Sequence, residues 1–456
     1  MHPAGIAVLG LRALREAAVP AAVGLAATVG GSGMDTRTLW RALAFAVVAA
    51  LVAALAGFVA WRTARYSVSD TAITSRRGLF SVKETVVPLE RVQALDTVQG
   101  PLQRLFGVTA VHVQAAGGAR EGEIVLEALS APAVAELRDA VGTRDDPRAE
   151  PEATWRLAGD RLLIAAATAG QLGVIVSVLA AASQGLDDVL GSTARATELV
   201  PDTPVELMVA AAALLAAAWL LSIAGAIVAF SGFTVARDGD RLLIRRGLLA
   251  RREASVPLAR VQAVTVLEGV LRQPFGLAAL RVETAGYATE AAAAQTLFPL
   301  LRRNEVERFL AEMVPASAGG VFDLKGAPSR ARPRYVVLPT FVVAVPAIAI
   351  TGLVDGAGAW PLSAIALGIA AGVAAHRAAG WRLDTSRVLV RSRRLARRTV
   401  IVPRRRLQEH AVGQTVLQRR AGLASVSVAA GAGTRARVAH LDAGVARELF
   451  ERLALR

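Results

Sequence analysis

The 456-residue chain contains no cysteine. Disulfides, thiolate metal sites and cysteine nucleophiles are therefore excluded. Aromatic residues make up 5% of it, too few to supply the stacking platforms that hold single-stranded nucleic acid. The five histidines (His2, His112, His376, His410 and His440) are scattered, and none stands at metal-ligand spacing from another histidine or an acid. No glycine-rich phosphate loop follows a strand and opens a helix, and no GxSxG elbow is present. The run Gly30–Gly33 reads as a turn. These absences lead us to expect a non-enzymatic protein with no cofactor and no metal. The net charge is +15, carried almost wholly by arginine. Nucleic acid and anionic lipid both suit so basic a chain; the dearth of aromatics disfavours nucleic acid.

Charge is also missing from several long stretches. Leu43–Trp61 carries none, with Arg37 and Arg41 before it and Arg62 and Arg65 after it. About 20 such residues cross a hydrocarbon core of about 30 Å. Similar runs are Leu162–Ala182, Leu207–Phe230, Tyr335–Val354 and Trp360–Ala375, and Ala17–Val29 is a shorter one containing Pro20. They fall into three pairs, so six transmembrane helices in three hairpins are expected. Ala17–Val29, with Arg12 and Arg15 before it, also fits a cleaved signal peptide, but the same hairpin recurs twice without such a role, which favours a retained helix. The loop Ser183–Pro204 is acidic and the segments after each pair are rich in arginine. The positive-inside rule then puts both termini and those segments in the cytoplasm, with Arg37 and Arg41 a departure from it. The expected location is the plasma membrane, as a multi-pass protein. Ionisable groups are lacking at mid-span, where a transporter ordinarily needs them; Gln171 and Ser222 are the polar groups to inspect for a transporter or export component, the competing function.

One unit is repeated three times. Arg76–Phe80, Val87–Gln93 and Leu102–Val108 align with Arg245–Leu249, Val256–Gln262 and Leu271–Leu277, and with Arg391–Leu395, Val402–Gln408 and Leu417–Leu423. Constant offsets of 169 and 146 residues relate Pro88, Pro257 and Pro403, and likewise Gly107, Gly276 and Gly422. Alternation around Ser69–Asp70 predicts a hairpin, as does Arg237–Asp240. Thr85–Leu95 reads as a strand region, with Pro88 at an edge, a bend or a strand start. Pro101–Phe106 reads as a helical turn closed by Gly107. Amphipathic helices over Ala131–Val141, Asn304–Val314 and Ala443–Leu455 end the units. Each unit, about 80 residues long, is expected to form one small antiparallel sheet closed by its helix.

The run from an aromatic-led strand through ArgArgGlyLeu, ValProLeu-x-ArgValGln and Leu-x-x-x-PheGly resembles the bacterial pleckstrin-homology-like (PH-like) domain of YdbS/YdbT-like membrane proteins. The likeness covers nearly the whole chain. The third copy departs at Arg393 and Ala421, where the family has Gly and Phe. The resemblance implies a PH-like β-sandwich or barrel with a capping helix for each unit, in an α+β membrane protein with this organisation: hairpin 1 over 1–61, PH-like domain 1 over 62–145, a linker over 146–160, hairpin 2 over 161–231, domain 2 over 232–315, a linker over 316–334, hairpin 3 over 335–379 and domain 3 over 380–456. It supplies no reaction. It suggests envelope homeostasis or defence against membrane-active peptides, and a homo-oligomer or hetero-oligomer with a related membrane PH-domain protein.

Arginine clusters are the remaining constellation. Arg76 and Arg77, Arg245 and Arg246, and Arg393 and Arg394 sit on equivalent hairpins, and Arg404, Arg405 and Arg406 lie before the third-copy strand. Residues 381–456 hold 17 arginines against five acids, twelve of the fifteen net charges. Such a surface would face anionic headgroups, or would be solvated and serve only topology. Arg91 and Gln93, Arg260 and Gln262, and Arg406 and Gln408 recur in register. They would line a common partner face, or form the solvent side of a strand. The leading expectation is a membrane scaffold or lipid- and protein-binding module.

Overall fold

A computed structural model describes residues 2–14, 36–78, 82–115, 123–141, 151–168, 204–284, 296–353, 359–431 and 433–454. The chain is α+β and divides into two compact units. The first comprises Met1–Glu150, Arg156–Thr234 and Leu243–Ser255; the second comprises Pro151–Trp155, Val235–Leu242 and Val256–Arg456.

Four helices are long and apolar enough to span a membrane among the described residues: Leu43–Thr63, Ala212–Phe230, Ser329–Gly352 and Pro361–Ala378. The expected run Ala17–Val29 lies outside the described residues, as does most of Leu162–Ala182, whose beginning forms the helix Gly159–Ala167. A shorter apolar helix, which the runs above do not include, spans Gly5–Leu14. It packs on the helix Thr36–Thr63 so closely that a Cβ on Gly57 would lie 2.5 Å from the Gly10 Cα. Glycine makes the same close approach in the last hairpin, where a Cβ on Gly372 would lie 2.5 Å from the Val336 Cα and one on Gly368 2.8 Å from the Thr340 Cα. Small residues suit this setting, because lipid offers apolar side chains no advantage of burial and helices associate through close packing. Pro339 and Pro346 sit within the partner helix Arg332–Leu353.

The first repeat contributes β1 (Arg65–Val68), β2 (Ala72–Arg77), β3 (Lys83–Pro88), β4 (Val92–Gln99), β5 (Val108–Ala115) and β6 (Glu123–Ser130). The segment Thr85–Leu95 is two strands. Pro88 ends β3, a 3-10 turn over Leu89–Arg91 redirects the chain, and β4 enters a different sheet. Each repeat therefore holds two three-stranded antiparallel layers, in line with the β-sandwich or barrel that the resemblance implies. Ile73 and Val87 from one layer meet Leu95, Val111, Ile124 and Leu126 from the other, with Val134 and Leu137 of the helix Ala131–Ala140 closing the core. The helical turn Pro101–Leu105 ends at Gly107, whose φ of +64° recurs as +60° at Gly276 and +64° at Gly422. That left-handed conformation carries no Cβ penalty in glycine, which explains why glycine closes all three turns.

The second repeat contributes β8 (Thr234–Asp238), β9 (Arg241–Arg246), β10 (Arg251–Pro257), β11 (Val261–Glu268), β12 (Leu277–Thr284) and β13 (Thr296–Arg302), after β7 (Ala153–Arg156). β7 lies in the segment read as a linker over 146–160. Its Trp155 meets Phe298 and Phe309 edge-on, with centroids 6.3 and 5.2 Å away, and donates to Glu312 at 2.7 Å. The third repeat contributes β15 (Gly380–Leu383), β16 (Arg387–Arg393), β17 (Arg397–Pro403), β18 (Leu407–Gly413), β19 (Leu423–Ala430) and β20 (Arg435–Asp442). β14 (Lys325–Gly326), inside the segment read as a linker over 316–334, pairs with β15. Val388, Val390, Val400 and Val402 pack on Val426, Val428 and Val438, closed by Ala446, Leu449 and Leu453 of the helix Ala443–Ala454.

Sheets do not stop at repeat boundaries. Within the first unit, Arg251–Glu253 of β10 pair antiparallel with Thr97–Gln99 of β4. Within the second, β17 pairs antiparallel with β11, giving a seven-stranded sheet in the order β13-β12-β11-β17-β16-β15-β14. β11 is buried nearly throughout, and its Glu268, 1% exposed, accepts from Arg397 at 3.1 and 3.2 Å.

Candidate functional site

The turn after β9 is strapped to the end of a membrane helix. Gly247 N–H donates to the Ser231 carbonyl at 2.8 Å and Leu248 N–H to the Val228 carbonyl at 2.9 Å. A helix end leaves its last carbonyls unpaired, and this turn caps two positions at the foot of Pro204–Phe230. Gly247 has a φ of +105°, and a Cβ there would lie 2.0 Å from the Ala250 carbonyl oxygen, so this tight turn requires glycine. Leu248 and Leu249 are consequently exposed at the end of an apolar span. The helical turn of the first repeat joins them, because Arg104 Nη1 donates to the Leu248 carbonyl at 3.1 Å. Leu105, 77% exposed, and Phe106 are presented beside it.

The second unit has a similar contact between a helical turn and a hairpin turn. Gln273 Nε2 donates to the Leu395 carbonyl at 3.3 Å, and Val270, Leu271, Phe275 and Leu395 stand exposed, Phe275 by 74%. The third copy's turn, Val416–Arg420, exposes Val416 and Leu417 beside the exposed Arg419 and Arg420. These apolar tips escaped the sequence reading. The Phe of Leu-x-x-x-PheGly resembles a core position, and what marks it otherwise is its place just before a left-handed glycine, outside any alternating strand.

The arginines divide. Arg76 and Arg77 are exposed at the end of β2, and Arg91 is exposed on its turn. Gln93 lies on β4, its side chain outside the described residues. Arg245 is exposed and pairs with Glu253 at 3.1 Å. Arg246 is buried with its guanidinium 5.9 Å from the Phe230 ring centroid. Burial, with Arg252 nearby, lowers its pKa to about 10, which leaves it charged at neutral pH. Arg260 is half-buried and Gln262 buried, donating to the Arg260 carbonyl at 3.2 Å. Arg393 is half-buried, its pKa lowered by burial and then by Arg397, whereas Arg394 is exposed. Arg404 donates to the Arg452 carbonyl at 2.9 Å, Arg405 is exposed, Arg406 donates to the Ala259 carbonyl, and Gln408 is exposed on β18. Among the described residues the repeated Arg and Gln positions therefore differ in burial from copy to copy.

Much of the third repeat's charge is engaged internally. Arg397 and Arg398 pair with Glu268 and Glu283, each at 3.1 Å. Arg391 donates to the Ala378 carbonyl at 2.8 Å and Arg387 to the Gly319 carbonyl at 2.7 Å. Asp384 receives Arg382 at 2.8 Å and Arg387 at 3.1 Å. Burial alone would raise the Asp384 carboxyl, but the two arginine hydrogen bonds outweigh it and hold the carboxyl below its ordinary range. An open hollow of about 540 Å³ lies here, lined by Asp384, Thr385, Ser386, Arg387, Arg404 and Arg452. Two histidines also acquire a structural role: the Tyr335 ring meets His376 and His440 edge-on at 5.6 and 5.0 Å, and its hydroxyl donates to the Ala439 carbonyl at 2.5 Å. Hairpin 3 is thereby joined to β20. Burial, then Arg334 and Arg437, lowers the pKa of His440, and Gln418 Nε2 lies 2.9 Å from its Nδ1.

The described residues contain no group of three or more His, Asp or Glu placed to hold a metal. No solved structure matches the chain. The chain is 25% identical over 401 residues to the UPF0699 transmembrane protein YdbT of Bacillus subtilis (strain 168), an alignment covering 82% of this chain and 80% of that protein. It is 32% identical over 77 residues to the UPF0699 transmembrane protein YdbS of the same strain, covering 17% of this chain and 46% of that one. The family model described as the bacterial PH domain matches three times, over residues 18–144, 170–315 and 336–456, in step with the three repeats and their two-layered sheets. The chain is thus a membrane protein that belongs to the bacterial PH domain family.

Proposed function

We propose that the protein is a non-enzymatic membrane scaffold whose three PH-like domains lie on the cytoplasmic face with their apolar tips in the headgroup layer. The observation that carries this reading is the turn Gly247–Leu249, hydrogen-bonded to the foot of a membrane helix with its leucines exposed. Exposed Leu and Phe beside arginine are the composition of an interfacial contact, where apolar burial and attraction to anionic lipid act together. Arg419 and Arg420, next to Val416 and Leu417, extend the pattern to the third domain. Six spans in three hairpins, with both termini inside, complete the topology. Maintenance of the envelope, including defence against membrane-active peptides, is the setting this scaffold suits.

Because β17 is a strand of the second repeat's sheet, the third domain cannot be excised for a lipid assay without cutting a ladder. The test therefore uses the full chain. Single cysteines replacing Leu249, Phe275 and Leu417, each carrying a nitroxide label, should report headgroup depth in nanodiscs containing anionic lipid. Labels at all three positions with full aqueous accessibility would overturn the reading. For topology, Ser192→Cys and Arg405→Cys should label from opposite sides of the membrane; labelling from one side would remove the hairpin arrangement.

A further inference from the structure

We infer that the outer edges of β3 and β18 are the two halves of a junction through which one copy of this chain continues its sheet onto a second copy. Two junctions inside the chain supply the template. β10 pairs with β4, and β17 pairs with β11, in the same register: Arg251 opposes Gln99 and Arg397 opposes Glu268, pairs related by the repeat offsets of 146 and 169 residues. By those offsets β3 is equivalent to β10 and β17, and β18 is equivalent to β4 and β11.

β3 is the last strand of a three-stranded sheet in the order β1-β2-β3, and β18 is the first of one in the order β18-β19-β20. Among the described residues each thus lacks the neighbour that its equivalents possess. By contrast β6, β13 and β20 are outermost in every repeat, so the chain holds no template for covering them.

Exposure follows the same division. Ile401 of β17 and Val266 of β11 are 0% exposed at the internal junction, whereas their equivalents Val86 and Val412 are 57% and 39% exposed. Carrying the register over places Lys83 opposite Gly413, Glu84 opposite Val412, Thr85 opposite Ala411 and Val86 opposite His410. Pro88 is no obstacle, because Pro257 and Pro403 end the paired strands in the same way. An open edge of main-chain donors and acceptors with apolar side chains is a template for strand addition. A second copy is the occupant that offers each edge its own missing partner, already matched in register twice. The contact is head-to-tail, so each copy retains one free half and the assembly grows into a ring or a filament.

The absence of native cysteine permits a direct test in the full-length chain. Lys83→Cys is placed on one tagged copy and Gly413→Cys on a differently tagged copy, co-expressed and oxidised in native membranes. Position 413 tolerates a side chain, since a Cβ there meets nothing within 4 Å. The internal reference is Leu267→Cys with Arg398→Cys in one chain, the same register position at the existing junction. We expect the internal disulfide, and a band at the mass of two chains carrying both tags that is lost on adding Val86→Asp. An internal disulfide without the two-tag band would overturn the inference and leave the internal junctions standing. Absence of both would remove the continuous sheet itself. Equal linkage of Lys83→Cys to an off-register Gln408→Cys, or linkage within a single chain carrying both cysteines, would also overturn it.

Discussion

The ion pair buried in the seam between the second and third repeats makes a quantitative test of how those repeats are held. Glu268 is buried, and Arg397 Nη1 donates to both of its carboxylate oxygens. Replacing Glu268 with Gln leaves Arg397 without its counter-charge in a poorly solvated seam, with Arg391 and Arg393 close enough that Glu268 favours their charged forms too. Removing one partner of a buried pair costs about 3–5 kcal/mol. Arg397 keeps about a fifth of its side chain exposed and can regain some water, which selects the lower end, about 3 kcal/mol. Local opening of β11 and β17 should then be roughly 100-fold more frequent, since about 1.4 kcal/mol corresponds to tenfold. Hydrogen exchange read by mass spectrometry on the detergent-solubilised chain resolves this, with β5 and β6 as internal references. Glu268→Leu combined with Arg397→Leu should recover most of the loss, because an apolar pair of similar volume avoids the uncompensated charge. Unchanged exchange in the Gln variant, or a double variant no better protected than the single, would refute the reasoning. The first junction already indicates that register does not need the ion pair, since Gln99 stands opposite Arg251 there.

Three further predictions concern separate parts of the molecule. Gly372→Ala should disrupt the last hairpin, because the new Cβ meets backbone atoms at 2.5 and 2.7 Å that cannot turn aside; loss of protease-resistant protein in membranes would show it, and wild-type resistance would contradict it. Gly276→Ala meets no atom within 4 Å, so its cost is the left-handed backbone alone, about 1–2 kcal/mol, measurable as a modest fall in detergent thermal stability. Asp384 has a carboxyl pKa held below the ordinary value, so its stabilisation is complete above about pH 4 and fades as pH falls through the lowered folded-state value. Wild type should lose thermal stability on acidification through that window more steeply than Asp384→Asn, and parallel profiles would refute the assignment.

Much of the local structure was legible in the sequence. The Ser69–Asp70 and Arg237–Asp240 turns, the glycine-capped helical turn and the terminal amphipathic helices lie where periodicity and turn chemistry put them, because those signals act over a few residues. Thr85–Leu95 reads as a strand region in which Pro88 allows an edge, a bend or a strand start, without choosing among them. The break is made by the 3-10 turn at Leu89–Arg91, which sends the halves into different sheets. The number of arginines leaves open a headgroup-facing or a solvated surface, and it does not show that Arg391, Arg397, Arg404 and Arg406 are held by carboxylates and carbonyls elsewhere in the chain.

By itself the sequence determined that this chain has apolar helices of membrane length, three equivalent units and no cysteine chemistry, since run length, spacing and composition are properties of the linear chain. Tertiary structure decided which strands are neighbours. A strand's main-chain donors and acceptors are the same whatever its side chains, so alternation places a residue on a face but does not name the strand beside it. That choice fell to packing, which set β17 against β11 and β10 against β4 and left β3 and β18 at sheet edges among the described residues.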